Sequence, residues 1–244
     1  MSLDKCDVVL LDVEGTVAPI SFVYDVLFPY AASHLDGFVR EEWDTLNDVV
    51  ELFEAQVEAD RKDGLLGVVD IPAAEGNNRE QRIQSVIDSA RWQMETDRKT
   101  TGLKSLQGRI WKGGFESGQL QSVVFPDVPN ALKRWTEAGR KCAIYSSGSV
   151  QAQRLFFRYC EAGNLSEYLD GYFDTKVGAK REPESYRAIA RELGAEPSKV
   201  FFATDVVAEA DAAREAGMNT GLLVRPGNPE QPAHEHVVME DFVA

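Results

Sequence analysis

The chain has 244 residues, of which 43% are hydrophobic, and it carries a formal net charge of −14 at pH 7. A chain of this length can bury a full core in one or two domains. The acidic balance argues against nucleic acid or an anionic membrane as the main partner. No stretch reaches the roughly 18 consecutive apolar residues of a membrane span.

The cysteines and the first residues point to a compartment. Cys6, Cys142 and Cys160 are odd in number, widely spaced and set among apolar neighbours. This pattern is typical of buried, reduced thiols rather than of disulfides or a metal cluster. The N-terminus lacks the basic and apolar regions of a signal peptide. We therefore expect a cytoplasmic protein.

The first predicted element is a buried strand over residues 8–11, which are all apolar. It ends on Asp12, Val13, Glu14, Gly15 and Thr16, so two carboxylates and a glycine stand at its C-terminal tip. Ligands of open α/β sheets bind at such tips. Two carboxylates this close require a cation or a shared proton. The alternatives are a solvated turn or an N-cap for the following helix.

Residues 20–124 show helical periodicity and little strand pattern. Apolar residues recur at helical spacing in three segments, 22–35, 46–57 and 83–94. A loop rich in Gly, Pro and Asn is predicted over 63–78. Arg98 and Lys99 could close over a bound phosphate, or they could belong to a solvated face.

From residue 125 onward, short apolar strands alternate with helices. We predict strands at 142–145, 172–173, 200–203 and 220–224. The helices between them stop at Gly139, Gly194 and Gly217. The alternation predicts an α/β fold with a doubly wound parallel sheet. Residues 1–19 and 125–244 would form the core domain, and 20–124 an inserted all-helical cap domain.

Polar residues of different kinds follow the later strands. Ser146 and Ser147 follow the second strand and Asp205 the fourth, while Lys176 and Lys180 compete to supply one ammonium. Carboxylates are the ligands that Mg²⁺ prefers, and hydroxyls and lysine hold phosphate oxygens. A carboxylate can also attack phosphorus. The set therefore favours Mg²⁺-dependent phosphoryl transfer.

Several segments carry a family resemblance. DVEGT, SSG and TD, with a downstream lysine, resemble the four motifs of the haloacid dehalogenase-like superfamily, whose core is Rossmann-like. Longer runs resemble the enolase-phosphatase family, also called acireductone synthase: LLDVEGTVAPISFVYDVLFPY, WQMETDRKTTGLKSLQGRIW, IYSSGSVQAQ, FDTKVGAKREPESY, FFATDVVAEA and VRPGN. The resemblance covers nearly the whole chain, the predicted cap included.

The resemblance implies a bifunctional step of methionine salvage, with one Mg²⁺ ion per chain. In it, 2,3-diketo-5-methylthiopentyl-1-phosphate is enolised and then dephosphorylated to acireductone (1,2-dihydroxy-3-keto-5-methylthiopentene). By motif, Asp12 is the nucleophile and a metal ligand, and Asp205 is the other metal carboxylate. Glu14 takes the general acid/base position. It is also a metal position, where we expect its backbone carbonyl to be the ligand.

The remaining motifs imply the phosphate site. Ser146 and Ser147 bind the substrate phosphate in the family. Lys180 matches the family spacing before Pro183, which makes it the catalytic lysine that also binds substrate. Lys176 would then be a surface residue.

Two other functions fit the strand-tip residues. A phosphatase of the same superfamily that acts on a different small phosphomonoester would share every core residue. A phospho-acceptor module of the receiver type also places acidic residues and a lysine at strand ends, but it needs no cap. For an enzyme we expect a small phosphorylated substrate, no nucleic-acid or membrane partner, and a monomer.

A few further residues have both a functional and a structural interpretation. Glu209 is predicted to support the metal ligands rather than to bind the metal. Trp92, Trp111 and Phe115 could line a pocket for the methylthio tail, although aromatic residues at helical spacing usually form core. The histidines are predicted to take no part, with the pair near the C-terminus solvated: His34, His234 and His236.

Overall fold

The computed structural model describes residues 3–76 and 78–243. The chain divides into two compact units: a core unit of Met1–Asp25 with Phe115–Ala244, and a helical unit of Val26–Gly114. The predicted boundaries were 20 and 124. Residues on either side of the predicted cap pack within the core unit, since Phe22 meets Phe156 edge to face at 5.7 Å and the Ser122 N–H donates to the Tyr159 carbonyl.

The core unit is built on a six-stranded sheet. Its strands are β1 (Val8–Leu11), β2 (Lys141–Tyr145), β3 (Gly171–Phe173), β4 (Val200–Thr204), β5 (Asn219–Leu223) and β6 (Val237–Met239). Their order is β3-β2-β1-β4-β5-β6, and every pairing is parallel. This is the doubly wound, Rossmann-like order, in which the chain reverses direction across the sheet between β1 and β4. The predicted fold class is confirmed.

The helices of the core unit follow the predicted pattern. They are α5 (Val128–Glu137), α6 (Val150–Arg158), α7 (Pro183–Glu192) and α8 (Val207–Glu215). Gly139, Gly194 and Gly217 all lie at positive φ just beyond the ends of α5, α7 and α8. Glycine adopts this left-handed conformation readily, so these residues end the helices as predicted.

Two differences concern the last strands. β5 begins and ends one residue earlier than the predicted strand at 220–224, and β6 was not predicted at all. β6 has only three residues, and Val237 and Val238 are both exposed. A strand that is short and solvated leaves no buried apolar run or alternation in the sequence.

The helical unit carries a core of its own. A π-helical turn, Phe22–Leu27, leads into α1 (Phe28–Glu42), and α2 (Asn47–Lys62), α3 (Arg79–Glu95) and α4 (Thr101–Glu116) follow. Their buried residues keep the predicted helical spacing and form one cluster that includes Leu35, Phe53 and Ile87. The predicted loop lies between α2 and α3, and its residue 77 falls outside the described residues. Among the described residues, no helix is long and apolar enough to cross a membrane.

Candidate active site

The strand topology places three predicted site residues at adjacent tips. β1 lies between β2 and β4, with Leu11 in register with Ile144 and with Ala203. Asp12, Ser146 and Asp205 therefore leave the carboxyl ends of three neighbouring strands. The Asp12 N–H still donates to the Ala203 carbonyl at 2.9 Å, which fixes the first of them to the sheet.

Asp12 is buried and makes three polar contacts. Its Oδ1 accepts the Val13 N–H at 2.7 Å and lies 2.6 Å from the Lys180 ammonium. Its Oδ2 is 3.2 Å from the Thr204 hydroxyl. These contacts fix the carboxylate in a single orientation at the strand tip.

Lys180, rather than Lys176, reaches the site. Its Nζ lies between Asp12 and Glu209, at 2.6 Å from the first and 2.7 Å from the second. Burial disfavours the ammonium, but the two carboxylates outweigh this and raise the pKa of Lys180 above its ordinary value. Lys176 is exposed, in keeping with the surface role predicted for it.

The loop before α7 holds Lys180 in place through its backbone. The Tyr186 hydroxyl donates to the Lys180 carbonyl at 2.6 Å, and the Tyr145 hydroxyl donates to the Gly178 carbonyl at 2.9 Å. Tyr145 and Tyr186 are fully buried, and their rings meet edge to face at 5.5 Å. Two tyrosines of the hydrophobic core therefore hold the backbone of the loop that carries Lys180.

Glu14 and Ser146 form a second pair. The Ser146 hydroxyl donates to Glu14 Oε2 at 3.2 Å and accepts the Gly148 N–H at 3.1 Å. Burial raises the pKa of Glu14, and the nearby Asp12 charge raises it further. Glu14 is therefore suited to hold a proton, whereas Asp12 lies directly against the Lys180 ammonium at 2.6 Å.

A cleft of about 390 Å³ opens beside these groups in the core unit. It is lined by Ser147, Thr175, Ala179, Lys180, Arg181 and Glu209. Ser147 is exposed, whereas Ser146 is buried. The cleft gives a small ligand access to the lysine and to the second of the two predicted phosphate-binding serines.

Asp205 lies against the loop that follows β1. A Cβ added to Gly15 would come within 2.3 Å of Asp205 Oδ2, and Gly15 has a φ of +74°. Burial and the Asp12 charge raise the pKa of Asp205 to about 7. Two buried carboxylates that disfavour each other's charge are the setting in which a cation is stabilising.

The oxygen donors at this point fit a hard cation. Among the described residues, no three His, Cys, Asp or Glu side chains are arranged to hold a metal ion. The oxygens that could hold one are those of the Asp12 and Asp205 carboxylates and the Glu14 carbonyl, to which no described residue donates a hydrogen bond. Mg²⁺ accepts such a partial set because it keeps several waters and takes substrate phosphate oxygens.

Three residues around the site have roles that the sequence did not show. The Thr204 hydroxyl lies 3.2 Å from Asp12 and 3.1 Å from Glu209. Arg225 and Asn228 belong to the VRPGN run, and both donate to the loop after β1. The available signal was that a buried loop at a strand tip needs partners for its carbonyls.

The basic residues considered for the cap lie in different settings. Arg98 bonds to the buried carboxylate of Asp60 through Nη2 at 2.6 Å, and its guanidinium lies 5.0 Å from the Trp92 ring centroid. Lys99 is exposed. A role for either residue at a bound phosphate stays a prediction.

Trp111 and Phe115 pack as the structural interpretation predicts. Trp111 stacks on Phe28 and donates to the Leu27 carbonyl at 2.8 Å, within the helical unit. Phe115 is buried in the core unit, where it stacks on Tyr159.

The prediction of a solvated histidine pair is wrong for His236. Its side chain is buried, with Nε2 3.0 Å from Asp211 and Nδ1 3.1 Å from the Thr220 hydroxyl. The reason is the unpredicted strand β6, which begins at the next residue and brings His236 against β5 and α8.

The fold and the strand-tip carboxylates define a hydrolase of the haloacid dehalogenase-like class, and the model of that family matches residues 6–217. The chain is 46% identical over 229 residues to enolase-phosphatase E1 of Anopheles gambiae, covering 93% of this chain and 77% of that relative. The chain belongs to the enolase-phosphatase E1 family. It is accordingly an enzyme of the phosphatase kind.

Two further comparisons agree with this assignment. Enolase-phosphatase E1 of Aedes aegypti is 47% identical over 239 residues, 96% of this chain, but the chain spans only 21% of that longer relative. The crystal structure of the UTR4 protein of Saccharomyces cerevisiae is similar with a TM-score of 0.75 and 36% identity. That match covers 98% of this chain and 99% of the other.

Proposed function

We propose that this chain is the bifunctional enolase-phosphatase of methionine salvage. It would convert 2,3-diketo-5-methylthiopentyl-1-phosphate to acireductone and phosphate. The observation that carries the proposal is the Asp12 carboxylate, buried at the tip of β1 and paired with Lys180 at 2.6 Å. The names of the relatives support the two activities, enolase and phosphatase, and the geometry supports phosphoryl transfer.

Asp12 would act as the nucleophile. One of its carboxylate oxygens attacks phosphorus, the bond from phosphorus to the substrate oxygen breaks, and an aspartyl-phosphate forms on Asp12. Ser146, Ser147 and Lys180 would bind the phosphate oxygens and stabilise their charge. Water then attacks phosphorus and releases phosphate with Asp12 restored.

Glu14 would move the protons of these steps. Its protonated carboxyl donates to the leaving substrate oxygen, and the resulting carboxylate takes a proton from the attacking water. The Ser146 hydroxyl, 3.2 Å away, would hold this carboxyl in place for the transfer. The enolisation that precedes dephosphorylation also needs a proton transfer, which Glu14 is placed to assist.

The Asp12 and Asp205 carboxylates and the Glu14 carbonyl would hold one Mg²⁺ ion per chain. The bound ion supplies charge neutralisation for the phosphoryl group and orients its oxygens. We expect a small-molecule substrate, no nucleic-acid or membrane partner, a cytoplasmic location and a monomer.

The assay compares the diketone phosphate with simple phosphomonoesters. We expect Mg²⁺-dependent formation of both the enol absorbance and inorganic phosphate, with kcat/KM at least ~10²-fold above that for p-nitrophenyl phosphate. Chelation of the metal should abolish phosphate release, and adding Mg²⁺ back should restore it.

Two results would contradict the proposal. Similar rates on simple phosphomonoesters, with no enol absorbance, would favour another phosphatase of the same superfamily. Release of one equivalent of the alcohol, with the phosphoryl group kept on Asp12 and no turnover, would favour a phospho-acceptor module.

A further inference from the structure

The segment after β5, residues 224–228, reaches across to the loop that follows β1. Asn228 donates through Nδ2 to the Gly15 carbonyl at 2.9 Å. Arg225 donates through Nε to the carbonyl of the next residue, Thr16, at 3.1 Å. Two side chains of one short segment therefore hold two consecutive carbonyls of the loop that carries Glu14.

The orientation of the Asn228 amide follows from its surroundings. The same nitrogen also lies 3.4 Å from the Leu223 carbonyl. Both neighbours are acceptors, so a flipped amide would place its oxygen against two carbonyl oxygens. The donor must face Gly15.

The N–H groups of the loop bond within the loop, whereas three of its carbonyls bond to residues outside it. The N–H groups of Thr16, Val17 and Ala18 all donate to the Val13 carbonyl at 2.9–3.2 Å. The Val17 carbonyl accepts the Phe125 N–H at 2.9 Å. The carbonyls of residues 15 to 17 are thus all bonded to donors outside the loop.

The Glu14 carbonyl differs from these three. No described residue donates a hydrogen bond to it. At the next residue, Gly15 packs so closely on Asp205 that a Cβ would lie 2.3 Å from Asp205 Oδ2 and 3.1 Å from Asn228 Oδ1. The Asp205 carboxylate and the Asn228 amide therefore both pack against the Cα of Gly15.

We infer that Asn228 is a positioning residue for the metal site. By binding the Gly15 carbonyl, it would keep Gly15 against Asp205 and direct the Glu14 carbonyl to the same point as the Asp12 and Asp205 carboxylates. Arg225 supports the same loop by donating to the carbonyl of Thr16. The inference rests on the proposed Mg²⁺ site and adds to it a group that does not touch the ion. Groups that orient metal ligands typically control affinity by 10–100-fold.

The test is Mn²⁺ binding to Asn228→Ala, measured from the EPR signal of the free ion in the absence of substrate. We expect binding about 10-fold weaker than in the wild type. The Mg²⁺ concentration for half-maximal turnover should rise by a similar factor, while kcat at saturating Mg²⁺ and KM for the substrate stay close to wild type.

Asn219→Ala is the matched control. Asn219 is also half-buried, and its Nδ2 also donates to a backbone carbonyl, that of Ser198, at 2.9 Å. It lies at the start of β5, away from the strand tips. Its loss should lower the Tm, measured in EDTA, by as much as Asn228→Ala does, without changing Mn²⁺ affinity.

Asp205→Asn separates the inference from the site on which it rests. If Asp205→Asn weakens Mn²⁺ binding and Asn228→Ala does not, the positioning role is wrong and the metal site stands. If the wild type binds no Mn²⁺, or Asp205→Asn binds it as well as wild type, both are wrong. Equal weakening by Asn219→Ala and Asn228→Ala would also overturn the positioning role, because the effect would then be general destabilisation.

Discussion

Asp12 and Glu14 are two residues apart, yet their surroundings assign them opposite tasks. Asp12 accepts a backbone N–H and lies 2.6 Å from the Lys180 ammonium. Glu14 is buried beside a neutral hydroxyl, and burial together with the Asp12 charge raises its pKa. Paired carboxylates whose surroundings separate their proton affinities commonly divide into nucleophile and acid.

Glu14→Asp should affect the two proposed reactions unequally. The change withdraws the carboxyl by about one C–C bond, roughly 1.5 Å. Because enolisation precedes dephosphorylation, we expect dephosphorylation of a simple phosphomonoester to be retained better than enolisation of the diketone phosphate. The measurement follows the enol absorbance and phosphate release separately.

Phosphate release from a simple phosphomonoester gives the control for this variant, because that substrate cannot enolise. An equal loss in all three rates would show that the extra methylene of Glu14 has no special part in enolisation.

At the residue scale, the sequence was informative where a side chain serves the chemistry directly. Lys180 could be preferred over Lys176 from its spacing to Pro183, and the structure places it against Asp12. Asn228 could not be found in this way. Its partner is a backbone carbonyl 213 positions away, and a main-chain acceptor leaves no residue type in the sequence to match.

At the element scale, the loop after β1 combines two demands on one glycine. Gly15 has a φ of +74°, which an L side chain adopts only with strain, and it also packs on the Asp205 carboxylate. The sequence shows a glycine at the strand tip, but it shows neither the positive φ nor the contact with Asp205 that require it. The strands and helices themselves were predictable because they have buried faces, and because α5, α7 and α8 also end at a glycine, whereas β6 has neither signal.

Gly15→Ala should therefore cost stability and site geometry together. The left-handed conformation costs roughly 1–2 kcal/mol, and the Cβ must also displace Asp205. We expect turnover at least ~10²-fold below wild type, since misplacement of about 1 Å can cost that much. The measurements are kcat, Mn²⁺ affinity and Tm.

Gly139→Ala isolates the backbone contribution. Gly139 has a φ of +77°, but a Cβ there would meet nothing within 4 Å. This variant should lower the Tm by the backbone strain alone and leave turnover unchanged. A similar activity for the two variants would mean that the contact between Gly15 and Asp205 has no role.

At the scale of the whole molecule, the sequence predicted a helical insert because the apolar period changes near residue 20 and again near 125. It could not predict how the core unit ties distant segments together. The carboxylate of Asp127, at the start of α5, accepts hydrogen bonds from both terminal nitrogens of Arg225, at 2.9 and 2.8 Å. Arg225 also donates to the Glu240 carbonyl, and its guanidinium lies between the rings of Phe125 and Phe242.

This buried pair should make the core unit sensitive to acid. Burial alone would raise the pKa of Asp127, but hydrogen bonds from Arg225 and from the Phe242 N–H lower it below its ordinary value. A depressed folded pKa gives stability that is fully present above the unfolded value of about 3.9 and is lost as the pH falls through the folded value. Asp127→Asn leaves Arg225 without its counter-charge.

We expect Asp127→Asn to lower the free energy of unfolding at pH 7 by about 3 kcal/mol, the cost of removing one partner from a buried pair. The difference from wild type should shrink as the pH falls below about 4, because the wild-type carboxylate then becomes protonated as well. Urea unfolding at pH 7, 5 and 3 measures both effects.

Asp44→Asn is the control, since Asp44 pairs with Arg79 at the surface with 78% of its side chain exposed, and its loss should leave all three unfolding curves unchanged within error. If the free energy of unfolding falls from pH 7 to pH 3 by the same amount in wild type and Asp127→Asn, the pair of Asp127 and Arg225 does not cause the loss of stability in acid.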